Sequence, residues 1–218
     1  MAPAKSTRVE KPGESRFDAI LDAAEKIFAT SGYDGASMRE ISVQAGVAQG
    51  LIHYHFKNKA QLFESMVARR SSQINDARAI AVDVLLARDV ETKLEELVES
   101  LFRPALEVGR DAESDSGPYA RILASVANSA DGRDQALAAK YYDPIAHTYI
   151  DALQKVQPNL SHADAVWAYM FAIGVGVSMM AQTGRTNRLS DGACDDGNIE
   201  AILGRIVPFV CGGIRALT

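Results

Sequence analysis

Residues Ser37 to Phe63 read SMREISVQAGVAQGLIHYHFKNKAQLF, and this stretch decides the fold. Ser37 and Glu40 form an S-x-x-E pair in which each side chain can satisfy the other residue's free backbone N–H, so a helix should begin at Met38. Met38, Ile41 and Ala45 fall on one face of that helix. Gly46 follows where the helix must stop, because a left-handed residue after a helix costs glycine nothing. Val47 enters a second short helix, in which Ile52 and Phe56 keep an i, i+4 apolar pair facing inward. On a 3.6-residue period Gly50, Leu51, His53 and Tyr54 point away from that pair. Asn58 caps a third helix, with Gln61 at the reciprocal position, before Leu62, Phe63, Met66 and Val67 resume an apolar stripe. Upstream, Phe17, Ile20, Leu21, Ala24, Ile27 and Phe28 recur at helical spacing up to Gly32 and supply the third wall of a small domain.

A short rigid helix that buries one side and offers Gln, His and Tyr on the other suits the DNA major groove, where base edges carry a distinct donor and acceptor code. Residues 16 to about 63 also resemble the DNA-binding domain of TetR-type transcriptional regulators. The resemblance rests on the helix-1 stripe ending in Ser31-Gly32-Tyr33, then Ser37-x-Arg39-x-Ile41, Ala45-Gly46-Val47, Gly50-x-Ile52-x-Tyr54-His55-Phe56 and Lys57-Asn58-Lys59. Two positions depart from the commoner pattern: Ala48 stands where Ser or Thr often caps the recognition helix, and His53 where Tyr is common. Both bear on which operator is read, and neither bears on the fold.

Each candidate contact has its own chemistry. Arg39 could reach a guanine edge or a phosphate, and Gln49 could pair with adenine. Gly50 removes a side chain where helix and groove come close, and Leu51 could pack on a thymine methyl. His53 could contact a base or a phosphate, whereas Tyr54 and Lys59 are expected to hold phosphates and set register. Ser37 could join a phosphate contact while capping its helix. His55 reads as a packed histidine. The pair His53-x-His55 fails as a metal chelate, since residues two apart on a helix diverge by about 200°. No Gly-rich phosphate loop, G-x-S-x-G elbow or nucleophile with a partner is present, so neither catalysis nor a cofactor is expected.

Charge becomes informative only when divided. The net charge is −5, yet residues 1–59 carry eight Lys/Arg against seven Asp/Glu, leaving fifteen against twenty-one for the remainder. The acidic excess thus belongs to the C-terminal part, which need not approach phosphate. A modest basic balance implies few backbone contacts per chain, and so two chains per DNA site. Residues 1–15 are polar and carry Lys5, Arg8 and Lys11 without an apolar core, which reads as a disordered arm able to touch DNA rather than as a leader. Cys194 and Cys211, without CxxC spacing, suggest a reducing compartment, and a cytoplasmic location is expected.

Beyond Lys59 the chain reads as all helix. With 218 residues and 47% hydrophobic content it can hold a small N-terminal domain and a larger second core. The expected organisation is all-α: an arm over 1–15, a three-helix helix-turn-helix domain over 16–60, and a helical effector-binding and dimerisation domain over 61–218. A long helix is expected from about 59 to 87, then segments near 91–110, 117–130, 133–156, 161–184 and 197–216. Pro104 should kink or divide the first of these. Thr186 to Asn198 reads as an exposed loop. The run Ala165 to Gly184 has no charge and enough length to span a bilayer, but its Ala, Gly, Ser, Gln and Thr content favours a buried helix over a membrane one. Gly174 and Gly176 permit close helix approach, and with the apolar last segment this fits a four-helix homodimer interface, an arrangement the resemblance also implies.

The C-terminal domain is expected to sense a small apolar or amphipathic effector. Phe102, Tyr119, Tyr142, Trp167 and Phe171 are candidates for its pocket, with Arg103, Arg121 and His147 as candidates for an anionic head group. The function so read is a homodimeric repressor that binds a near-palindromic operator and is released by its effector, through the long helix that begins near Lys59. Two rivals stand beside it: a DNA-binding regulator or activator without an effector, and a helical protein–protein adaptor.

Overall fold

The computed structural model describes residues 15–88, 93–108, 117–127, 129–180 and 182–218. The expected arm therefore lies outside the described residues except for Ser15, whose side chain caps the first helix by accepting the Asp18 N–H at 3.1 Å. Every regular element among the described residues is a helix. The chain divides into two compact units, Met1–Ala68 and Arg69–Thr218.

In the first unit, α1 (Arg16–Gly35) buries Ile20, Leu21, Ala24 and Phe28 and breaks at Gly32, whose φ of 68° only glycine adopts freely. The helix α2 (Met38–Ala45) opens with the expected capping box: the Glu40 N–H donates to Ser37 Oγ at 3.1 Å, and the Ser37 N–H donates to Glu40 Oε2 at 3.1 Å. It closes on Gly46 at φ 69°, where the Val47 N–H reaches the Ser42 carbonyl at 3.0 Å and the Gly46 N–H reaches that of Val43 at 3.2 Å. That pair of bonds closes the helix and aims the chain into α3 (Gln49–His55). Ala48 gives α3 no side-chain cap.

The next helix, α4 (Lys59–Leu86), starts on Asn58, whose Oδ1 accepts the Gln61 N–H at 2.9 Å. Gln61 returns its own side chain to the Lys57 N–H at 2.8 Å, one residue before the position the sequence suggested. Leu62, Phe63, Met66 and Val67 are buried, and Phe63 meets the rings of Phe28 and Tyr33 edge-on at 4.9 and 5.2 Å. These first turns of α4 thus belong to the first unit, past the boundary expected at residue 60.

The second unit holds α5 (Leu94–Val108), α6 (Gly117–Ala127), α7 (Gly132–Tyr141), α8 (Asp143–Val156), α9 (His162–Met180), α10 (Arg185–Leu189) and α11 (Ile199–Arg215), and its core is built from α5, α6, α8, α9 and α11 with the rest of α4. Pro104 does not divide α5. Its neighbours Leu101, Phe102, Ala105 and Leu106 are all buried, and that packing holds the helix through the missing N–H. The single helix expected over 133–156 is two. Tyr142 leaves helical geometry (φ −120°, ψ −30°) because Pro144 fits the first turn of a helix and not its interior. The loop expected over 186–198 holds most of the short α10.

Candidate nucleic-acid interface and core cavity

The α3 side chains sort by face. Ile52 is 0% exposed and Phe56 1%, so two apolar side chains brace the helix from behind. Gln49, Gly50, His53 and Tyr54 are exposed, Tyr54 at 82%, and Leu51 is half-buried. A methyl group at Gly50 would meet nothing within 4 Å, so the chain's own packing does not require glycine there. His55 turns inward, its ring edge-on to Phe17 at 5.6 Å, as a packed histidine should. On α2, Arg39 is exposed, and its guanidinium has no hydrogen bond or ion pair among the described residues. The Ser37 hydroxyl is engaged with Glu40, donating to Oε2 at 2.9 Å while accepting the backbone N–H.

Lys59, expected from sequence to contact a phosphate, is engaged inside the unit. Its ammonium donates to the carbonyls of Tyr33, Asp34 and Ala36 at 2.8, 3.3 and 3.0 Å and lies 4.6 Å from the Tyr33 ring centroid. α1 ends at Gly35, so the carbonyls at and just beyond its C-terminus have no following helical turn, and a three-donor cation gathers them.

In the second unit a cavity of about 140 Å³ opens between helices, walled by Phe102, Tyr142, Tyr169, Ile173, Gly176 and Arg78. Of the residues proposed from sequence, Phe102 and Tyr142 line it. Tyr119 stands behind, fully buried, its hydroxyl bonded to that of Tyr142. The other five do not line it. Trp167 and Phe171 are 58% and 60% exposed and stack on each other on the outside of α9, because their stripe lies opposite the buried Ala165, Ala168 and Ala172. Arg121 and His147 are exposed. Arg103 lies on the surface between Glu99 and Glu200, each 2.6 Å away, and these carboxylates hold its guanidinium pKa above the ordinary value.

The residue that sequence reasoning missed is Arg78. Ile74, Arg78, Val82 and Leu85 form one buried stripe of α4, and Arg78 is 5% exposed. A cation set in an apolar stripe was the available signal. Burial pushes the neighbouring Tyr142 and Tyr149 hydroxyls up to about 12, and raises Tyr169 as well.

A solvent-facing helix braced by a capped partner helix, joined in one chain to a helical core with a cavity, defines the class of helix-turn-helix regulators with a sensing domain. Two family models match: "Bacterial regulatory proteins, tetR family" over residues 20–66 and "Tetracyclin repressor-like, C-terminal domain" over residues 99–213. The chain belongs to the TetR family of bacterial regulatory proteins.

Among curated relatives, the HTH-type transcriptional repressor BepR of Brucella suis biovar 1 is 40% identical over 52 residues, 24% of this chain and 25% of its own length. The chain thus spans a quarter of the length of that relative. Two solved structures share the fold. The fatty acid degradation regulator FadR from Bacillus halodurans has a TM-score of 0.67 at 18% identity, covering 94% of this chain and 99% of its own. FadR from Bacillus subtilis, in complex with stearoyl-CoA, has a TM-score of 0.61 at 17% identity, covering 89% and 97%. The curated relatives are transcription regulators rather than enzymes, with repressors and an activator both among them.

Proposed function

We propose that this chain is a homodimeric repressor that reads a near-palindromic operator through α3 and releases it on binding a small apolar or amphipathic effector in the second unit's cavity. The observation that carries the reading is α3 itself. Its apolar pair Ile52 and Phe56 is withdrawn from water, while Gln49, His53 and Tyr54 stand exposed, their side chains without a hydrogen-bond partner among the described residues. In this reading Gln49, Leu51 and His53 contact bases, Gly50 lets the helix seat deeply, and Arg39 and Tyr54 hold the backbone. Ser37 and Lys59 act chiefly by fixing the frame.

The outer faces of α9 and α11 support pairing of two chains. Trp167, Phe171 and Phe209 are exposed on them, and an apolar surface of this kind marks an interaction site. α9 is also long and apolar enough to cross a bilayer, but its Ala168, Tyr169, Ala172 and Met180 pack into the core, which favours burial against a second chain. Two copies of α3 would then enter successive major grooves, about 34–36 Å apart. The structural neighbour that binds stearoyl-CoA supports a ligand-responsive sensing unit, and the cavity of about 140 Å³ suits a much smaller molecule. α4 contributes residues to both units and carries the effector's signal. Release requires that the effector bind the non-DNA-binding state more tightly than the other.

A gel-shift titration on the DNA upstream of the chain's own coding sequence tests this reading. Salt-sensitive binding that Tyr54→Ala weakens supports it; binding that neither salt nor Tyr54→Ala alters rejects it.

A further inference from the structure

Arg78 is a buried cation without a counter-ion among the described residues. Its Nε donates to the Leu101 carbonyl at 2.9 Å, and its Nη1 makes a long bond, 3.4 Å, to Asn75 Oδ1. Both acceptors are neutral. A guanidinium has five N–H donors, so most of this one's donor capacity is unused, including both hydrogens of Nη2. No carboxylate among the described residues forms an ion pair with it. Asp143, which also lines the cavity, is exposed at the start of α8 and lies outside ion-pair distance. Tyr142 and Tyr169, which line the same cavity, are phenols. Burial holds Tyr142 and Tyr149 up at about 12, so they stay neutral and cannot balance the charge.

Buried charges are normally paired, because leaving water uncompensated is costly. Arg103 shows the contrast within the same unit: it sits at the surface and already holds two carboxylates. Arg78 instead lines a cavity whose wall is mostly apolar, with Phe102, Leu106, Leu123, Ile173 and Met180, beside Tyr142, Tyr169 and the exposed Asp143. An apolar chamber with one unsatisfied guanidinium is complementary to a molecule with an apolar body and one anionic end. The volume bounds the body. At about 140 Å³ the cavity resembles an engineered cavity of about 150 Å³ that holds benzene.

We infer that the cavity takes a compact monocarboxylate, roughly of benzene-ring size, whose carboxylate pairs with Arg78. This rests on the reading of the cavity as the effector site and adds the effector's charge, size and anchoring residue. A carboxylate accepts two parallel N–H bonds from a guanidinium, which a primary amide of the same shape cannot match. Tyr142, whose hydroxyl shares a hydrogen bond with that of Tyr119, stands on the same wall.

Calorimetric titration of the full chain with benzoate, butanoate and hexanoate, each against its primary amide, tests the inference. At least one acid should bind about 10- to 100-fold more tightly than its amide. Arg78→Gln should abolish that preference, and Ile173→Trp, which fills the cavity, should remove binding of both members of the pair. The acid–amide comparison on the unaltered chain stands even if Arg78→Gln does not fold. Equal affinity for acid and amide overturns the inference while leaving a neutral ligand site. Binding that survives Ile173→Trp overturns it by locating the ligand elsewhere, and no binding of any of the six overturns it together with the cavity's assignment. An Arg78-dependent acid preference without any change in DNA affinity supports the inference and contradicts the effector role.

Discussion

The Lys59 ammonium donates to the Tyr33 carbonyl at 2.8 Å from the far end of the helix-turn-helix unit, and also lies over the Tyr33 ring. One side chain therefore ties the C-terminal end of α1 to the start of α4. Lys59→Met keeps the stem and removes the donors, leaving the Tyr33, Asp34 and Ala36 carbonyls without this partner. The expected loss is about 1–3 kcal/mol, read from urea denaturation. An unchanged midpoint, with a reduced salt slope of DNA binding, would return Lys59 to the phosphate role.

Gly50 separates stability from recognition. Glycine in a helix interior costs about 1 kcal/mol relative to alanine, and the space around Gly50 is open. Gly50→Ala should raise stability by roughly 0.5–1 kcal/mol and at the same time weaken operator binding, because the added methyl stands between α3 and the groove. Denaturation and anisotropy on the same sample check both signs. A gain in both would show that the groove approaches α3 from another side.

How much of this was legible in the sequence differs between the two units. The capping box, the left-handed Gly46 and the Ile52/Phe56 brace are local, set by residues within a few positions of each other, and the chain alone revealed them. The Lys59 bonds join residues 23 to 26 positions apart, and no spacing rule announces them. The cavity is less local still. Its walls come from different helices, so aromatic and basic residues could be named from sequence but not sorted by face. Arg103 and Arg78 look alike as letters; only packing leaves one among carboxylates and the other among apolar side chains. Pro144 was a readable signal for the break between α7 and α8, whereas Pro104 divides nothing because burial holds α5 together.

The dimer proposal makes a direct prediction about α9 and α11. Phe171 and Phe209 are 60% and 70% exposed in the single chain, so charge there should leave the fold intact and disrupt pairing. Phe171→Glu with Phe209→Glu should shift the sedimenting mass from two chains to one, with the helical circular dichroism unchanged. A mass that stays at two chains would assign dimerisation to another face.

Alkaline pH offers a test of the buried phenols. Tyr142 and Tyr149 are held up at about 12, above the value near 10 expected in the unfolded chain. The folded form therefore keeps those protons longer. The resulting contribution is fully present below about pH 10 and is lost as pH rises through about 12. The urea midpoint should fall across that window, and Tyr142→Phe should flatten the fall. A midpoint independent of pH there would contradict the burial of these hydroxyls.

The central claim is that α3, presented twice, reads DNA. Its most direct test measures binding of the chain to its upstream DNA site and to every single-base variant of that site, with and without Gln49→Ala. The account predicts two chains per site and a preference that Gln49→Ala relaxes at one position in each symmetric half, while the other positions keep theirs. An unaltered preference profile, or one chain per site, would contradict it.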